Sequence, residues 1–240
     1  MSNFLNKLRL IVKDKSLRNK ILFVLAALIV FRILAVIPIP GIDVGRLQEF
    51  FQNNQFFGLI NLFSGGGLDS LSIVMLGVGP YITASIIMQL LTMTSDKLKQ
   101  MYQEEGEAGK KKFAQYSRLL TVPLALIQSF AFLSLLQNQG VIVGLSPFDM
   151  LINIVVITAG SVLLMWIGEL MSEFGIGNGV SLLIFAGIVA GLPSTVNQLL
   201  FTFTPDQIPL YLGFAVAAIL ITLGVVVVTE AERPIPITYA

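Results

Sequence analysis

The 240-residue chain contains no cysteine and no histidine. Disulfides, thiol nucleophiles, histidine proton relays and the side chains of most zinc sites are therefore missing. Charged residues are also few, at 12% of the chain, against about 25% in soluble proteins. The sequence lacks the usual side chains of an enzyme, and we expect neither catalysis nor a bound metal or cofactor.

Long apolar segments take up much of the chain. Hydrophobic residues make up 55% of it, and the mean hydropathy is +0.84. A membrane-spanning helix needs about 20 apolar residues. Six segments approach or exceed this length: 21–40, 71–93, 119–137, 150–170, 180–200 and 208–228. The sequence predicts an all-α integral membrane protein with six transmembrane helices.

Positive charges are distributed unevenly between these segments. Six of the 15 Lys and Arg residues precede residue 21, six lie between residues 97 and 118, and Arg233 follows the last segment. Only Arg46 would lie on the opposite side, while Arg32 lies within the first segment. Cytoplasmic loops carry the excess of Lys and Arg in membrane proteins. Both termini are therefore predicted to be cytoplasmic.

The basic N-terminus, residues 1–20, alternates cations with apolar side chains. This pattern favours an amphipathic helix on the inner membrane surface, and a solvated, charge-rich leader explains it equally well. The apolar segment that follows is too long for a signal peptide and has no small-residue cleavage site. We divide the rest of the chain into a five-helix body at 21–200 and a sixth helix with the start of a cytoplasmic loop at 201–240.

Residues 56–63 are apolar but too short to cross a bilayer, and Gly65, Gly66 and Gly67 follow them closely. Each glycine destabilises a helix by roughly 1 kcal/mol, and irregular backbone cannot face lipid. The segment is predicted either to re-enter a protein-lined cavity as a stopper or to pack as an interfacial loop against the ends of the spans.

The second apolar segment is interrupted near its start by Gly77 and Pro80, which predict a bend or a helix start there. Thr83 belongs to a different surface from the four side chains that share one helical face: Val78, Ile82, Ser85 and Gln89. Gln89, and Gln128 in the third segment, should face protein or water. Either residue would then line a functional surface or form an ordinary helix–helix hydrogen bond.

A glycine-rich stretch at 175–181 precedes the fifth segment. No strand leads into it, so it is not a dinucleotide-binding motif; it predicts a tight turn that starts a helix. Glu169 and Glu173 lie four residues apart just before it, but at the membrane edge and without histidine we do not expect acid–base catalysis from them. The charged stretch around residues 104–112 predicts a solvated loop.

Long strings of the sequence resemble the SecY family, the central subunits of bacterial protein-translocation channels. The string GVGPYITASIIMQLL at 77–91 resembles the first family signature. The strings MWIGE at 165–169 and GIGNGVS at 175–181 resemble the second. Residues 29–33, 38–41, 63–66 and 184–193 match the family as well, in the same order along the chain.

The resemblance implies the first half, plus the sixth span, of a protein-conducting channel built from two inverted halves around an hourglass pore. It implies a plug helix at 57–71, which includes Asn61, Leu62, Phe63, Ser64, Gly65, Gly66 and Gly67. It implies a hydrophobic pore ring of Val78, Ile82 and Ile184, and lateral-gate positions at Thr83 and Gln128. Cytoplasmic docking is implied at Lys110, Lys111, Lys112 and Arg233.

The partners implied are SecE-like and SecG-like small subunits, a SecA motor or a ribosome, a polypeptide with a signal sequence, membrane lipids and the C-terminal half of the channel. The membrane implied is the bacterial cytoplasmic membrane. The chain departs from the family at Arg233, where two adjacent arginines are usual. Because the family has four further spans, we expect an N-terminal fragment.

A secondary transporter built from inverted repeats is the alternative function. Such a transporter would bury ionisable residues to couple ion movement, yet Arg32 alone lies well inside a predicted span.

Overall fold

A computed structural model describes residues 14–40, 71–142, 146–201 and 204–231. Most of these residues lie in seven α-helices: α1 (Lys15–Leu34), α2 (Gly79–Thr94), α3 (Asp96–Gln103), α4 (Gly106–Asn138), α5 (Pro147–Phe174), α6 (Gly179–Phe201) and α7 (Ile208–Glu230). A 3-10 turn, Pro205–Gln207, precedes α7. Within these ranges, β-pairing is limited to one isolated antiparallel bridge between Pro38 and Ser72. The predicted all-α class is confirmed.

Three of the described helices are long and apolar enough to cross a membrane: Gly106–Asn138, Pro147–Phe174 and Pro205–Glu230. The apolar part of α6, Gly179–Pro193, is shorter. The helix of the second predicted span, α2, has only 16 residues, and α1 includes four cations. The length and apolar character of these helices are those of a membrane protein. The number of six spans stays a prediction.

The first two predicted spans both contain non-helical backbone near their predicted outer ends. α1 ends at Leu34, before Pro38 and Pro40, because residues 37–39 are extended and pair with residues 71–73. α2 begins only at Gly79, after residues 71–78 have formed successive turns. Gly77 has a φ of 58°, which favours glycine. The helix start predicted near Gly77 and Pro80 is confirmed.

The loop predicted around residues 104–112 is wrong, because α4 already begins at Gly106 and includes Lys110, Lys111 and Lys112. Lysine and glutamate are good helix formers, and α3 supports this end of α4 from the side. The rings of Tyr102 and Phe113 lie 4.8 Å apart. The three lysine side chains are exposed on the helix surface.

At the starts of α1 and α5, side-chain caps satisfy free backbone N–H groups. The Asp14 carboxylate accepts from the N–H groups of Ser16 and Leu17 at 2.9 and 3.4 Å. At α5, the N–H of Asp149 donates to the Ser146 hydroxyl oxygen at 3.2 Å, and the Asp149 carboxylate accepts from the N–H of Ser146 at 3.3 Å. This reciprocal capping box, with Pro147 as the first helical residue, fixes the start of α5.

α4 packs against α2, α3 and α5 through a row of mostly small side chains that recur every four residues. A helix has about 3.6 residues per turn, so this row drifts by about 40° per step and winds around the helix. Near Ser129 the row faces α5, where the Ser129 and Thr158 hydroxyl oxygens lie 3.5 Å apart. The row consists of Gly109, Phe113, Ser117, Thr121, Ala125, Ser129 and Leu133.

Residues 37–39 and 71–73 form a short antiparallel pair, which we name the clip. The N–H of Ile39 donates to the carbonyl of Leu71 at 2.9 Å, and the N–H of Ile73 donates to the carbonyl of Ile37 at 3.0 Å. The clip packs on the first half of α5, where a Cβ added at Gly160 would collide with the Ile73 carbonyl oxygen. One hydrophobic cluster encloses it: Ile39, Leu71, Met75, Leu133, Leu136, Val141, Ile142 and Ile157.

The chain divides into two compact units, residues 1–192 and 193–240. The first contains α1 to α5, the clip and the first part of α6. In the second, α7 is apolar throughout, and none of its residues is buried. The predicted plug residues Asn61 to Gly67 and the predicted docking residue Arg233 lie outside the described residues.

Candidate functional site

Three aliphatic residues predicted for the pore ring belong to one hydrophobic cluster of the first unit. Val78 is 3% exposed and lies in the core of that cluster, and Ile82 and Ile184 are half-buried and pack against it. Val78 precedes the first residue of α2, and its carbonyl accepts from the N–H of Ile82 at 3.1 Å. We name Val78, Ile82 and Ile184 the aliphatic trio. Helices α2 and α6 thus bring it together from residues more than a hundred positions apart.

A cavity of about 720 Å³ lies against two members of the trio, Ile82 and Ile184. Beyond them its lining becomes polar, with the neutral side chains of Tyr81, Ser85, Gln89, Asn178 and Ser181. We name this space the polar cavity. Ile82, Ser85 and Gln89 all line it, as expected from their shared face on α2, and the face changes from apolar to polar along the helix. Gln89 therefore faces an open, polar space.

An ion pair joins two helices at the wall of the polar cavity. The Nε of Arg118 on α4 donates to the Oε1 of Glu169 on α5 at 2.6 Å. Glu169 is thus neutralised by a cation, rather than forming the acidic pair with Glu173 that their spacing suggested. Glu173 also lines the cavity. Sequence reasoning missed this pair, although Arg118 and Glu169 lie at the ends of two adjacent predicted spans that meet the same membrane surface.

The glycine-rich stretch forms the tight turn that was predicted, and α6 begins at Gly179. Gly177 has a φ of 72°, and the Asn178 side chain accepts from the N–H of Ser181 at 3.0 Å. The Ser172 hydroxyl accepts from the N–H of Gly179 at 2.8 Å and donates to the carbonyl of Gly168 at 3.0 Å. Ser172 therefore fastens the end of α5 to the start of α6 beneath the cavity.

The residues predicted for the lateral gate, and the docking lysines at 110–112, do not line the polar cavity. Thr83 and Gln128 are half-buried, neither lines the cavity, and the Thr83 hydroxyl donates to the carbonyl of Gly79 at 3.0 Å. Lys112 lies 3.5 Å from Glu105 on the exposed start of α4. Across the described ranges, no three acidic side chains are grouped in a way that could hold a metal ion.

Comparison with known proteins places this arrangement in a family. The family model for SecY matches residues 72–240. The chain belongs to the SecY family. It is 42% identical to the protein translocase subunit SecY of Corynebacterium glutamicum over 95% of its own length and 54% of that protein. It is also 42% identical to the SecY of Pseudomonas aeruginosa, over 91% of this chain and 50% of that protein.

The chain spans about half the length of the SecY relatives it matches. Two solved structures share its fold. Sec61 in a canine ribosome-channel complex from the endoplasmic reticulum covers 94% of this chain with a TM-score of 0.59 and 23% identity. A protein described as a protein-conducting channel covers 90% of it with a TM-score of 0.58 and 23% identity. This chain corresponds to 50% and 48% of those two chains. The predicted family and channel fold are confirmed.

Proposed function

We propose that the protein to which this chain belongs conducts unfolded polypeptides across the bacterial cytoplasmic membrane and releases apolar segments sideways into lipid. The observation that carries this proposal is the polar cavity that ends against Ile82 and Ile184 of the aliphatic trio. A polar vestibule admits a hydrated polypeptide, and an apolar constriction disfavours water and ions when it is closed. Aliphatic side chains also offer no hydrogen bonds that would hold a passing chain.

The charges of the cavity suit a substrate of variable sequence. Arg118 and Glu169 neutralise each other at 2.6 Å, and the remaining polar lining is largely hydroxyl and amide. Of the side chains that line the cavity, Glu173 is the one charged group left over. A lining of this kind favours neither basic nor acidic polypeptides strongly. The secondary-transporter alternative has no observation in its favour among the described residues.

We place the polar cavity on the cytoplasmic side and the clip on the outer side. Arg118 lies at the cavity, and Lys110, Lys111 and Lys112 precede it on the same helix, so the positive-inside rule supports this orientation. In this cysteine-free chain, a single cysteine at Gln103 should react with an impermeant thiol reagent from the cytoplasmic side. Gln103 ends α3, just before α4, whereas Gln139 caps the far end of α4, and a cysteine at Gln139 should react from outside. The reverse pattern would contradict the proposed orientation.

The finer assignments follow from this function. The proposal keeps six spans, the divisions at residues 20 and 200, and a plug at 57–71. Thr83 and Gln128 would line a lateral gate, and the lysines at 110–112 with Arg233 would contact a SecA motor or a ribosome. The matching Sec61 structure, solved in a ribosome-channel complex, supports a ribosome as partner. SecE-like and SecG-like subunits and four further spans would complete the channel.

The test of the function is resting conductance in a full-length channel that carries this segment. Ile82→Gly and Ile184→Gly should each raise resting ion conductance in planar bilayers while translocation of an unfolded polypeptide continues. The matched control is Ile87→Gly, on the same helix as Ile82 but outside the cavity lining, which should leave conductance low. Unchanged resting conductance in both the Ile82 and the Ile184 variant would contradict the assignment of the trio to the pore constriction.

A further inference from the structure

A buried amide lies where the clip meets α5. Asn153 is 1% exposed, and its Nδ2 donates to the carbonyl of Pro40 at 3.3 Å. Its Oδ1 is buried and has no hydrogen-bond partner within the part of the chain that the structure describes. A buried polar atom without a partner lowers stability. Asparagine is therefore a poor choice for this position if stability alone matters.

The surroundings of Asn153 would accept an apolar side chain. Ile157 lies one turn further along α5 and is fully buried in the cluster that also contains Ile39 and Leu71. Leucine has the same branching as asparagine and, although larger, would join this cluster with no polar atom of its own; the Pro40 carbonyl would lose its donor. Among the described residues, the Asn153 amide makes one hydrogen bond, to the carbonyl of Pro40. Buried polar groups that weaken packing often specify position instead.

Asn153 bonds to Pro40, the residue that directly follows one strand of the clip, and the other strand of the clip leads along the chain to Val78 of the aliphatic trio. Ile73 of the clip packs against both hydrophobic clusters. From there the chain reaches Val78 through tight turns. In these turns the N–H of Met75 donates to the carbonyl of Ser72 at 2.9 Å, and the N–H of Gly77 donates to the carbonyl of Val74 at 2.8 Å. A displacement of the clip relative to α5 therefore moves Val78 with it.

We infer that Asn153 is a positioning residue for the closed channel. Its amide holds the clip at one place on α5, and the turns at 72–78 carry that placement to Val78, so that the trio closes. The inference rests on the proposed function, since it takes the aliphatic trio to be the pore constriction. It adds a residue outside the cavity lining: Glu169, the first lining residue on α5, comes about 24 Å further along the helix at 1.5 Å per residue.

The test is the variant Asn153→Leu in a full-length channel carrying this segment, reconstituted with its small partner subunits. Loss of one hydrogen bond corresponds to about 1 kcal/mol, so the resting conductance should rise about fivefold. The temperature of thermal unfolding should change little, because the unpaired Oδ1 is removed while the carbonyl of Pro40, an exposed residue, loses its donor. Asn153→Gln, which keeps the amide donor, should return conductance toward the unmodified value. A purely structural role predicts the opposite: lower stability and unchanged conductance.

The matched control is Ser161→Ala on the same helix. Ser161 is 1% exposed, and its hydroxyl also has no partner among the described residues. Removing it should leave resting conductance unchanged. If Asn153→Leu does not assemble, Asn153→Ala removes the same donor without adding volume and should also leak. Translocation by the unmodified channel is measured in parallel. Its absence refutes the proposed function, whereas normal translocation with unchanged conductance in the Asn153 variants refutes this inference alone.

Discussion

The two ends of α5 are held to their neighbours in different ways. At its first half, the clip packs through backbone and aliphatic groups, and Ile39 and Leu71 are almost fully buried. At its last turns, hydroxyl and charged side chains make the contacts, through Ser172 and through the Arg118–Glu169 pair. Close apolar packing fixes one shape, whereas partly solvated polar contacts rearrange at little cost. One helix thus supports a rigid end and an adaptable end.

The largest effect is expected from a substitution at the rigid end. Gly160→Ala places a Cβ against the carbonyl oxygen of Ile73, and this backbone group cannot move aside without disturbing the clip. Overpacking of this kind should lower the free energy of unfolding by about 3 kcal/mol, as measured by thermal or denaturant unfolding in detergent.

The control for Gly160 is Gly224→Ala on α7, where a Cβ would meet nothing within 4 Å. Alanine is a better helix former than glycine, so this variant should be neutral or more stable by about 0.5–1 kcal/mol. Equal stability of the two variants would contradict the close approach of α5 to the clip.

A smaller effect is expected at the adaptable end from Ser172→Ala. This change leaves the N–H of Gly179, a buried residue, without its acceptor. An unsatisfied buried donor should cost about 1–2 kcal/mol. Ser181→Ala removes an exposed hydroxyl from the same turn and keeps the backbone bond to Asn178, so its unfolding should match that of the unmodified protein. A larger loss at Ser181 than at Ser172 would reverse our view of which serine joins α5 to α6.

The smallest effect is expected from the ion pair, although its distance is short. The side chains of Arg118 and Glu169 are 44% and 21% exposed, and pairs open to solvent contribute about 0–1 kcal/mol. A double-mutant cycle with Arg118→Ala and Glu169→Gln should therefore give a coupling energy below about 0.5 kcal/mol. This coupling energy should decrease as the salt concentration is raised. A coupling energy that is large and does not change with salt would show that the last turns of α5 are held as rigidly as its first half.

Features set by neighbouring residues could be predicted from the sequence. The apolar segments located α4, α5, α6 and α7, and Gly77 with Pro80 located the start of α2. The turn at Gly177 was predicted as well, because a glycine pattern acts within one turn of chain. In each case the physical cause lies within a few residues, so no knowledge of the fold was needed.

Contacts between distant residues could not be predicted in this way. Arg118 and Glu169 are 51 positions apart, and Asn153 and Pro40 are 113 positions apart, so only the packing of the helices brings them together. The early start of α4 was missed because α3 supports a charged stretch that resembles a loop. The spacing of Val78 and Ile82 placed these two on one face, whereas Ile184 was assigned to the trio only through the resemblance to the SecY family.

The winding row of small side chains on α4 constrains how this helix can move. Its buried positions repeat every four residues, which corresponds to a rise of about 6 Å and a rotation of about 40°. A displacement of α4 along its axis that kept this row in contact with α2 and α5 would therefore require the helix to rotate as well, by about 40° for every 6 Å. Gln128 lies on this helix, beside the buried Ser129. Such a rotation would turn the Gln128 amide toward a different neighbour, and the polarity of the surface that α4 presents there would then depend on the axial position of the helix.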